Sequence, residues 1–401
     1  MSNMKRSNRT SPLAHAAALA VTLLSLAAAQ QALAGPREQA RRMYERLTGT
    51  PPSESLLNNL ETRIGGATLS EREAVALYII DPAEAHSKDF YSVTLKNFAS
   101  PWTNRDQSIF APLNDYSATV IGLVKDDEDF RQVLWDDVVY IGSGAPAYSP
   151  TSNAHYETLE SNNVDLRTLT RTTQSSLNGL PSAATAGVIT SRAGAEAFFI
   201  DGTNRAMFRF TLLNHMCRDL EQVHDTTRPP DRIRQDVTRS PGGDSSVFNN
   251  NCIGCHAVMD SMAQAFAYYD FDETAQRLVY TPGQVQPKYL INSDNFKPGF
   301  VTPDDAWENR MRLPGRNDVN VIGWDPQRPG AGSGAKSLGE ELAYSNAFAQ
   351  CQAEKAYRKV CFHSPSTVPE AQAVESIGTA FRSGGSMRRV FAQVAAQCAG
   401  N

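Results

Sequence analysis

Five consecutive residues, Cys252-Ile253-Gly254-Cys255-His256, place two thiols and an imidazole in the order C-x-x-C-H. Cysteines at this spacing lie about one helical turn apart, so both can attach to the vinyl groups of one haem while the adjacent His ligates the iron. A zinc site would need four ligands, and the sequence has no second C-x-x-C or H-x(3–5)-H pair. A thioredoxin-type pair would follow a strand, whereas the polar run Asn249–Asn251 precedes this motif. The motif predicts one covalent haem c, bound by Cys252 and Cys255, with His256 as the proximal iron ligand.

The second axial position of the iron decides between two kinds of haem protein. A low-spin electron carrier fills it with Met or His, whereas an enzyme leaves it open. Met311 lies in Met311-Arg312-Leu313-Pro314, 55 residues after His256, which resembles the M-x-x-P loop of small class I cytochromes c. His224 and His215 are the alternatives. Met259 lies only three residues after His256 on the same predicted helix, so it belongs to the proximal side.

Residues 1–34 have the layout of a secretory signal peptide. Lys5, Arg6 and Arg9 precede an Ala/Leu-rich stretch, and the small-residue site Ala32-Leu33-Ala34 precedes Gly35. Cleavage there would leave 367 of the 401 residues. The protein is therefore expected in the periplasm or outside the cell, where disulfides persist.

Charge and hydropathy exclude two other classes of protein. The formal net charge is -5, so the chain lacks the basic excess that drives binding to nucleic acid. No apolar run of about 18 residues follows the N-terminal segment. We therefore expect no transmembrane anchor in the mature chain.

The residues from Cys252 to Asp270 carry a family resemblance. They resemble the cytochrome modules abundant in planctomycetes and myxobacteria, domains of unknown function whose haem segment reads C-x-x-C-H-x-x-[IM]-D-P-x-G-F-A-[LF]-E-x-[FY]-D. The matching residues are Cys252, Cys255, His256, Met259, Asp260, Ala265, Phe266, Tyr269 and Asp270, and the departures are Ser261, Ala263, Gln264 and Ala267. The chain is similar to a divergent member of this family.

Weaker likeness extends over most of the chain. Residues 41–52 look like the R-R-L-x-x-x-L-T-G-x-P-P opening of that family's leading helical module, and Asn204–Cys217 is similar to its R-G-x-x-x-x-x-x-L-L-C helix. Ala347–Cys351 looks like the start of its closing module. The resemblance implies a helical protein with one c-type haem and supplies no substrate.

Local patterns also predict a mainly α fold. After the signal peptide, residues 35–200 are expected to form a helical N-terminal domain with a Ser/Thr-rich irregular connection at 142–186, and residues 201–401 a cytochrome c-like haem domain with long loops and C-terminal helices. A capping box at Ser70-x-x-Glu73 predicts one helix start. Further helices are predicted at 115–124, 204–223, 338–362, 370–382 and 386–398.

Four cysteines remain outside the haem motif, and an oxidising compartment favours their pairing. Cys351 and Cys361 lie ten residues apart on one predicted helix, about 15 Å along its axis, whereas a disulfide needs Cα atoms within about 7 Å. The favoured pairing is Cys217 with Cys351 and Cys361 with Cys398. The rival, Cys217 with Cys361 and Cys351 with Cys398, stays open.

Two main functions follow from these features. The first is electron transfer between redox partner proteins of the periplasm by an exported mono-haem cytochrome. The second is a haem-dependent enzyme of peroxidase or oxidase type with an open distal position. A third, purely structural use of the haem is the simplest alternative. A carrier needs only about 100 residues, so the extra chain points to a docking surface or a substrate pocket.

Overall fold

The computed structural model describes residues 35–66, 68–200, 202–290, 294, 298–314 and 319–399. The predicted signal peptide, residues 1–34, lies outside the described residues. The part that is described is mainly helical, as the sequence predicts. None of the helices in these ranges has the length and apolar character needed to cross a membrane.

The helices are numbered in chain order. They are α1 (Pro36–Thr48), α2 (Glu54–Ile64), α3 (Leu69–Ile79), α4 (Lys96–Ala99), α5 (Asp115–Lys125), α6 (Ala154–Ser161), α7 (Gln174–Asn178), α8 (Arg192–Phe198), α9 (Arg205–Met216), α10 (Ser245–Val247), α11 (Ile253–Ala263), α12 (Val319–Ile322), α13 (Gly334–Ala343), α14 (Asn346–Cys361), α15 (Val368–Gly384) and α16 (Met387–Cys398).

The named strands of the described residues form three short antiparallel ribbons. β1 (Val139–Ile141) pairs with β2 (Thr170–Thr172), with Tyr140 opposite Arg171. β3 (Tyr269–Asp272) pairs with β4 (Arg277–Tyr280), and β5 (Ala306–Glu308) pairs with β6 (Ala331–Ser333). None of them forms a larger sheet, so packing between helices organises the molecule.

The predicted domain boundary near residue 200 does not divide the hydrophobic core. One cluster of buried side chains runs from Ala40 to Ala399 and draws on both predicted domains. The C-terminal helix α16 packs against α3 and α1 near the other end of the chain. Its predicted apolar stripe is buried, and the stripe consists of Met387, Val390, Phe391, Val394 and Cys398. The two predicted domains therefore share one core.

Four predicted features of the chain need correction. α3 starts at the N-cap Thr68, which forms a capping box with Glu71, rather than at Ser70. The predicted helix 204–223 ends at Met216 because Cys217 takes a left-handed conformation (φ 51°). The predicted helix 338–362 is two helices, since Ser345 caps a new start at Asn346. The segment 142–186, predicted to be irregular, contains α6, α7 and β2.

Candidate functional site

Cys252, Cys255 and His256 lie at the start of α11. A short π-helical turn, Phe248–Cys252, leads directly into this helix, so Cys255 and His256 occupy its first turn. Cys252 and Cys255 are both half-buried and carry free thiols, although the other four cysteines are paired. The motif therefore presents two unbonded thiols and an imidazole on one helical turn.

Asp260, one turn further along α11, determines which nitrogen of His256 is available. The Nδ1 atom of His256 lies 3.2 Å from Oδ1 and 3.3 Å from Oδ2 of Asp260. A carboxylate only accepts hydrogen bonds, so Nδ1 carries the proton and donates it. Among the described residues Nε2 has no hydrogen-bonding partner, and the side chain is 21% exposed. Nε2 is thus the ring nitrogen with a free lone pair.

Asp260 is itself fixed by Arg205, the first residue of α9. Arg205 donates from Nε to Oδ1 of Asp260 at 2.8 Å and from Nη2 to Oδ2 at 3.1 Å. Its other edge binds Asp236 through two hydrogen bonds of 2.5 and 2.8 Å. The backbone N–H of Arg234 adds a contact of 3.3 Å to Asp260. The Asp260 side chain is 0% exposed.

These contacts keep Asp260 ionised. Burial alone would raise the pKa of Asp260, but the charge of Arg205 and the hydrogen bond from His256 outweigh it, with a further contribution from Arg234. The pKa of Asp260 therefore lies below its ordinary value. The imidazole of His256 faces a carboxylate rather than a neutral acid.

Cys255 contacts the short 3₁₀ turn Leu220–Gln222. Its Sγ lies 3.6 Å from the carbonyl oxygen of Leu220. Burial raises the pKa of Cys255, and the nearby carboxylates of Glu221 and Asp219 raise it further. The same turn borders a cleft of about 880 Å³, whose walls include Trp102, Cys217, Asp219, Glu221, Lys355 and Arg358. The 3₁₀ turn that Cys255 contacts is therefore also part of the wall of this cleft.

His224 packs against α11 on the side away from His256. A Cβ atom on Gly254 would lie 2.3 Å from Cδ2 of His224, so any larger residue at this position would have to displace the His224 ring. At about 100° per residue, Gly254 lies about 160° around the helix from His256. His224 therefore contacts the opposite side of α11.

His215 is enclosed in the core. Its Nε2 lies 2.6 Å from the hydroxyl of Tyr116, and its ring stacks on Phe348. Burial lowers the pKa of His215 well below its ordinary value, so the ring is neutral. Because His215 is 1% exposed and bound to Tyr116, it is the least suited of the three predicted distal residues to bind iron.

Met311 lies in a 3₁₀ turn, Arg310–Arg312, that contacts α11. Its side chain is 3% exposed and belongs to the main core cluster, together with Met259. Two arginines fasten this loop to the segment beside Asp260: Arg310 binds Asp231, and Arg228 donates to the carbonyl of Leu313. The turn that carries Met311 thus contacts the helix that begins with the haem motif, and Met311 as the distal ligand stays a prediction.

The four remaining cysteines are joined as the sequence analysis favoured. Cys217 is bonded to Cys351 with a Cα–Cα distance of 5.3 Å, and Cys361 to Cys398 with a distance of 5.7 Å. Cys351 and Cys361 lie on one helix, α14, which keeps them from pairing with each other. The first disulfide ties the end of α9 to α14, and the second ties α14 to α16.

Sequence reasoning missed the network behind His256. Asp260 was visible as an acid four residues after a histidine on a predicted helix, the spacing that places two side chains on one face. Arg205 and Asp236 carried no such signal, since tertiary packing alone brings them to Asp260. No cluster of three or more His, Cys, Asp or Glu side chains suited to a metal ion occurs in the described ranges.

Comparisons with protein-family models, with curated proteins and with solved structures find no match for this chain.

Proposed function

We propose that this protein is an exported c-type cytochrome that carries one covalent haem and transfers electrons between periplasmic redox partner proteins. Cys252 and Cys255 would hold the haem, and His256 would be the proximal iron ligand. The observation that carries the proposal is the state of His256: Asp260 binds its Nδ1, and its Nε2 is free beside two unpaired thiols.

The donor set fits this cofactor. Haem c requires two reduced thiols one helical turn apart and a histidine whose free nitrogen can bind iron. Metal-bound histidines generally donate their other ring N–H to a carboxylate or carbonyl, which fixes the tautomer and the ring orientation. His256 has such a partner in Asp260. The haem would supply the redox chemistry, and this chain would supply its attachment and orientation.

Two further features support export and family membership as parts of the proposal. Residues 1–34 have signal-peptide character, and two disulfides suit an oxidising compartment. The resemblance of Cys252–Asp270 to the planctomycete and myxobacterial cytochrome modules supports a c-type haem domain. α11 and the elements packed against it would form this domain.

A peroxidase- or oxidase-type enzyme is the second candidate, and one observation favours it. A carboxylate hydrogen-bonded to the proximal histidine makes the ligand more basic, and a strongly donating axial ligand favours cleavage of an O–O bond. Asp260 supplies that carboxylate. The cleft of about 880 Å³ beside the Leu220–Gln222 turn offers space for a substrate.

Covalent attachment is tested by haem staining on a denaturing gel. The protein purified from the periplasm is expected to retain one haem, and the double variant Cys252→Ala/Cys255→Ala to retain none. Cys217→Ala/Cys351→Ala is the matched control, because it also removes two sulfurs but leaves the motif intact. Haem that acid acetone extracts from the wild-type protein would refute the proposal.

An optical spectrum of the same material separates the two candidates. A six-coordinate, low-spin iron is expected for the electron carrier. A high-spin iron that binds cyanide or peroxide rapidly would instead favour the enzyme, because these ligands need an open axial position.

A further inference from the structure

We propose that Asp260 is the positioning residue of the haem ligand: it aims Nε2 of His256 at the iron and lowers the reduction potential, and Arg205 and Asp236 hold it in place. This inference rests on the proposed function, because it concerns the ligand of the haem proposed above.

The hydrogen bond between His256 and Asp260 fixes the orientation of the imidazole. His256 and Asp260 are four residues apart on α11, so the helix itself places the carboxylate under Nδ1. Both carboxylate oxygens lie within 3.3 Å of that nitrogen. The ring cannot rotate to present Nδ1 outward without leaving a buried carboxylate partly unpaired, which is costly. The side chain is therefore pre-set with Nε2 outward.

Arg205 and its second partner, Asp236, hold the Asp260 side chain in place. Arg205 binds Asp260 through Nε and Nη2 and binds Asp236 through Nη1 and Nη2, and its planar guanidinium allows all four hydrogen bonds at once. α9 packs along α11, so this grip also links the two helices. A histidine ligand that must stay fixed through both oxidation states gains from such a support.

The Asp260 carboxylate is expected to affect the reduction potential of the haem through its hydrogen bond to His256. A carboxylate that accepts the Nδ1 proton makes the imidazole a stronger donor, which stabilises the oxidised iron and lowers the potential. Arg205 binds the same carboxylate and partly offsets its charge. In the part of the chain that the structure describes, Asp260 is the side chain that hydrogen-bonds to the ring of His256. The direct contact, rather than the net field of the cluster, is expected to dominate.

The test compares the reduction potentials of the haem-loaded wild-type protein, Asp260→Asn and Asp236→Asn by optical redox titration. Asp260→Asn is expected to raise the potential clearly. Asp236→Asn removes an equal charge from the same arginine without touching His256, so its shift is expected to be less than half as large. Equal shifts in the two variants, or no shift in Asp260→Asn, would overturn the proposal.

A measurement on the wild-type protein covers the case in which Asp260→Asn does not fold. The Nδ1 proton of His256 gives a hyperfine-shifted NMR signal in the oxidised protein and is expected to exchange with D₂O as slowly as the amides of α11, because the Asp260 side chain that binds it is 0% exposed. Exchange before the first spectrum would contradict the hydrogen bond.

The two proposals fail in distinguishable ways. If the wild-type protein carries no covalent haem on the denaturing gel, the proposed function is refuted. If haem is retained and the potentials or the proton exchange disagree with expectation, only the role of Asp260 is refuted.

Discussion

Met311 has two roles that mutation can separate: its side chain packs in the core, and its sulfur is the predicted distal iron ligand. Its side chain is 3% exposed within the main core, so truncation to Ala is expected to cost about 2–5 kcal/mol of stability for reasons of packing alone. Met311→Leu is the sharper variant, because it removes the sulfur at nearly constant volume and should cost less than about 1.5 kcal/mol. If Met311 is the distal ligand, Met311→Leu abolishes the long-wavelength ferric band of Met-ligated haem. A spectrum identical to that of the wild type would exclude Met311 as the distal ligand.

For individual residues, the sequence predicts the side chains that would bind the haem but not the residues that hold His256 in place. The order C-x-x-C-H is a local signal, and Cys252, Cys255 and His256 lie together at the start of α11 as the motif requires. Arg205 and Asp260 are 55 residues apart in the chain, and their contact depends on how α9 packs against α11. No periodicity or motif predicts such a contact.

Among the helices, α15 has a titratable side chain, Glu370, that caps its first turn. Thr367 and Glu370 form its capping box, and a carboxylate oxygen of Glu370 accepts from the backbone N–H groups of Ser366 and Thr367 at 2.8 and 3.0 Å. The hydrogen bond from the backbone of Ser366 is the largest cause that lowers the pKa of Glu370, to about 2 from its ordinary 4.5. A depressed pKa means that the stabilisation is complete above about pH 4.5 and is lost as the pH falls toward 2.

Glu370→Gln is therefore expected to lower the urea midpoint at pH 7, and the difference from wild type should shrink steadily between pH 4.5 and 2. The exposed Glu375 on the same helix provides the control, since its side chain makes no hydrogen bond to the helix start. A Glu370→Gln difference that is the same at pH 7 and pH 2.5 would show that the carboxylate does not stabilise this helix end.

Helix boundaries show where local patterns suffice and where they fail. The prediction at 115–124 agrees with α5 to one residue, because Asn114 and Ser117 form a capping box within the sequence itself. The start of α3 was misplaced because Glu73 pairs with Arg389 of α16 rather than with a residue of its own helix. The end of α9 was missed because Cys217 is held in a left-handed conformation next to its disulfide partner.

Over the whole molecule, the two disulfides close loops of different length around one core. The Cys217–Cys351 bond spans 134 residues and includes the haem motif, whereas Cys361–Cys398 spans 37 residues and encloses α15. Loop-closure entropy assigns them about 5 and about 4 kcal/mol of stabilisation, respectively. The length of the helix that carries Cys351 and Cys361 excluded a bond between these two residues and left two pairings open. The shared core that joins residues 35–200 to the rest had no sequence signal.

Comparing the two double-alanine variants tests this difference. Cys217→Ala/Cys351→Ala is expected to lose about 1 kcal/mol more in free energy of unfolding than Cys361→Ala/Cys398→Ala, as measured by urea titration without reductant. Each variant removes two sulfurs, at least one of them buried, so the packing losses largely cancel in the comparison. With reductant present the wild type should lose more than either variant lost alone, because both loops then open. A larger loss for the Cys361–Cys398 pair would show that local packing of α14 against α16, rather than the length of the closed loop, determines what these bonds contribute.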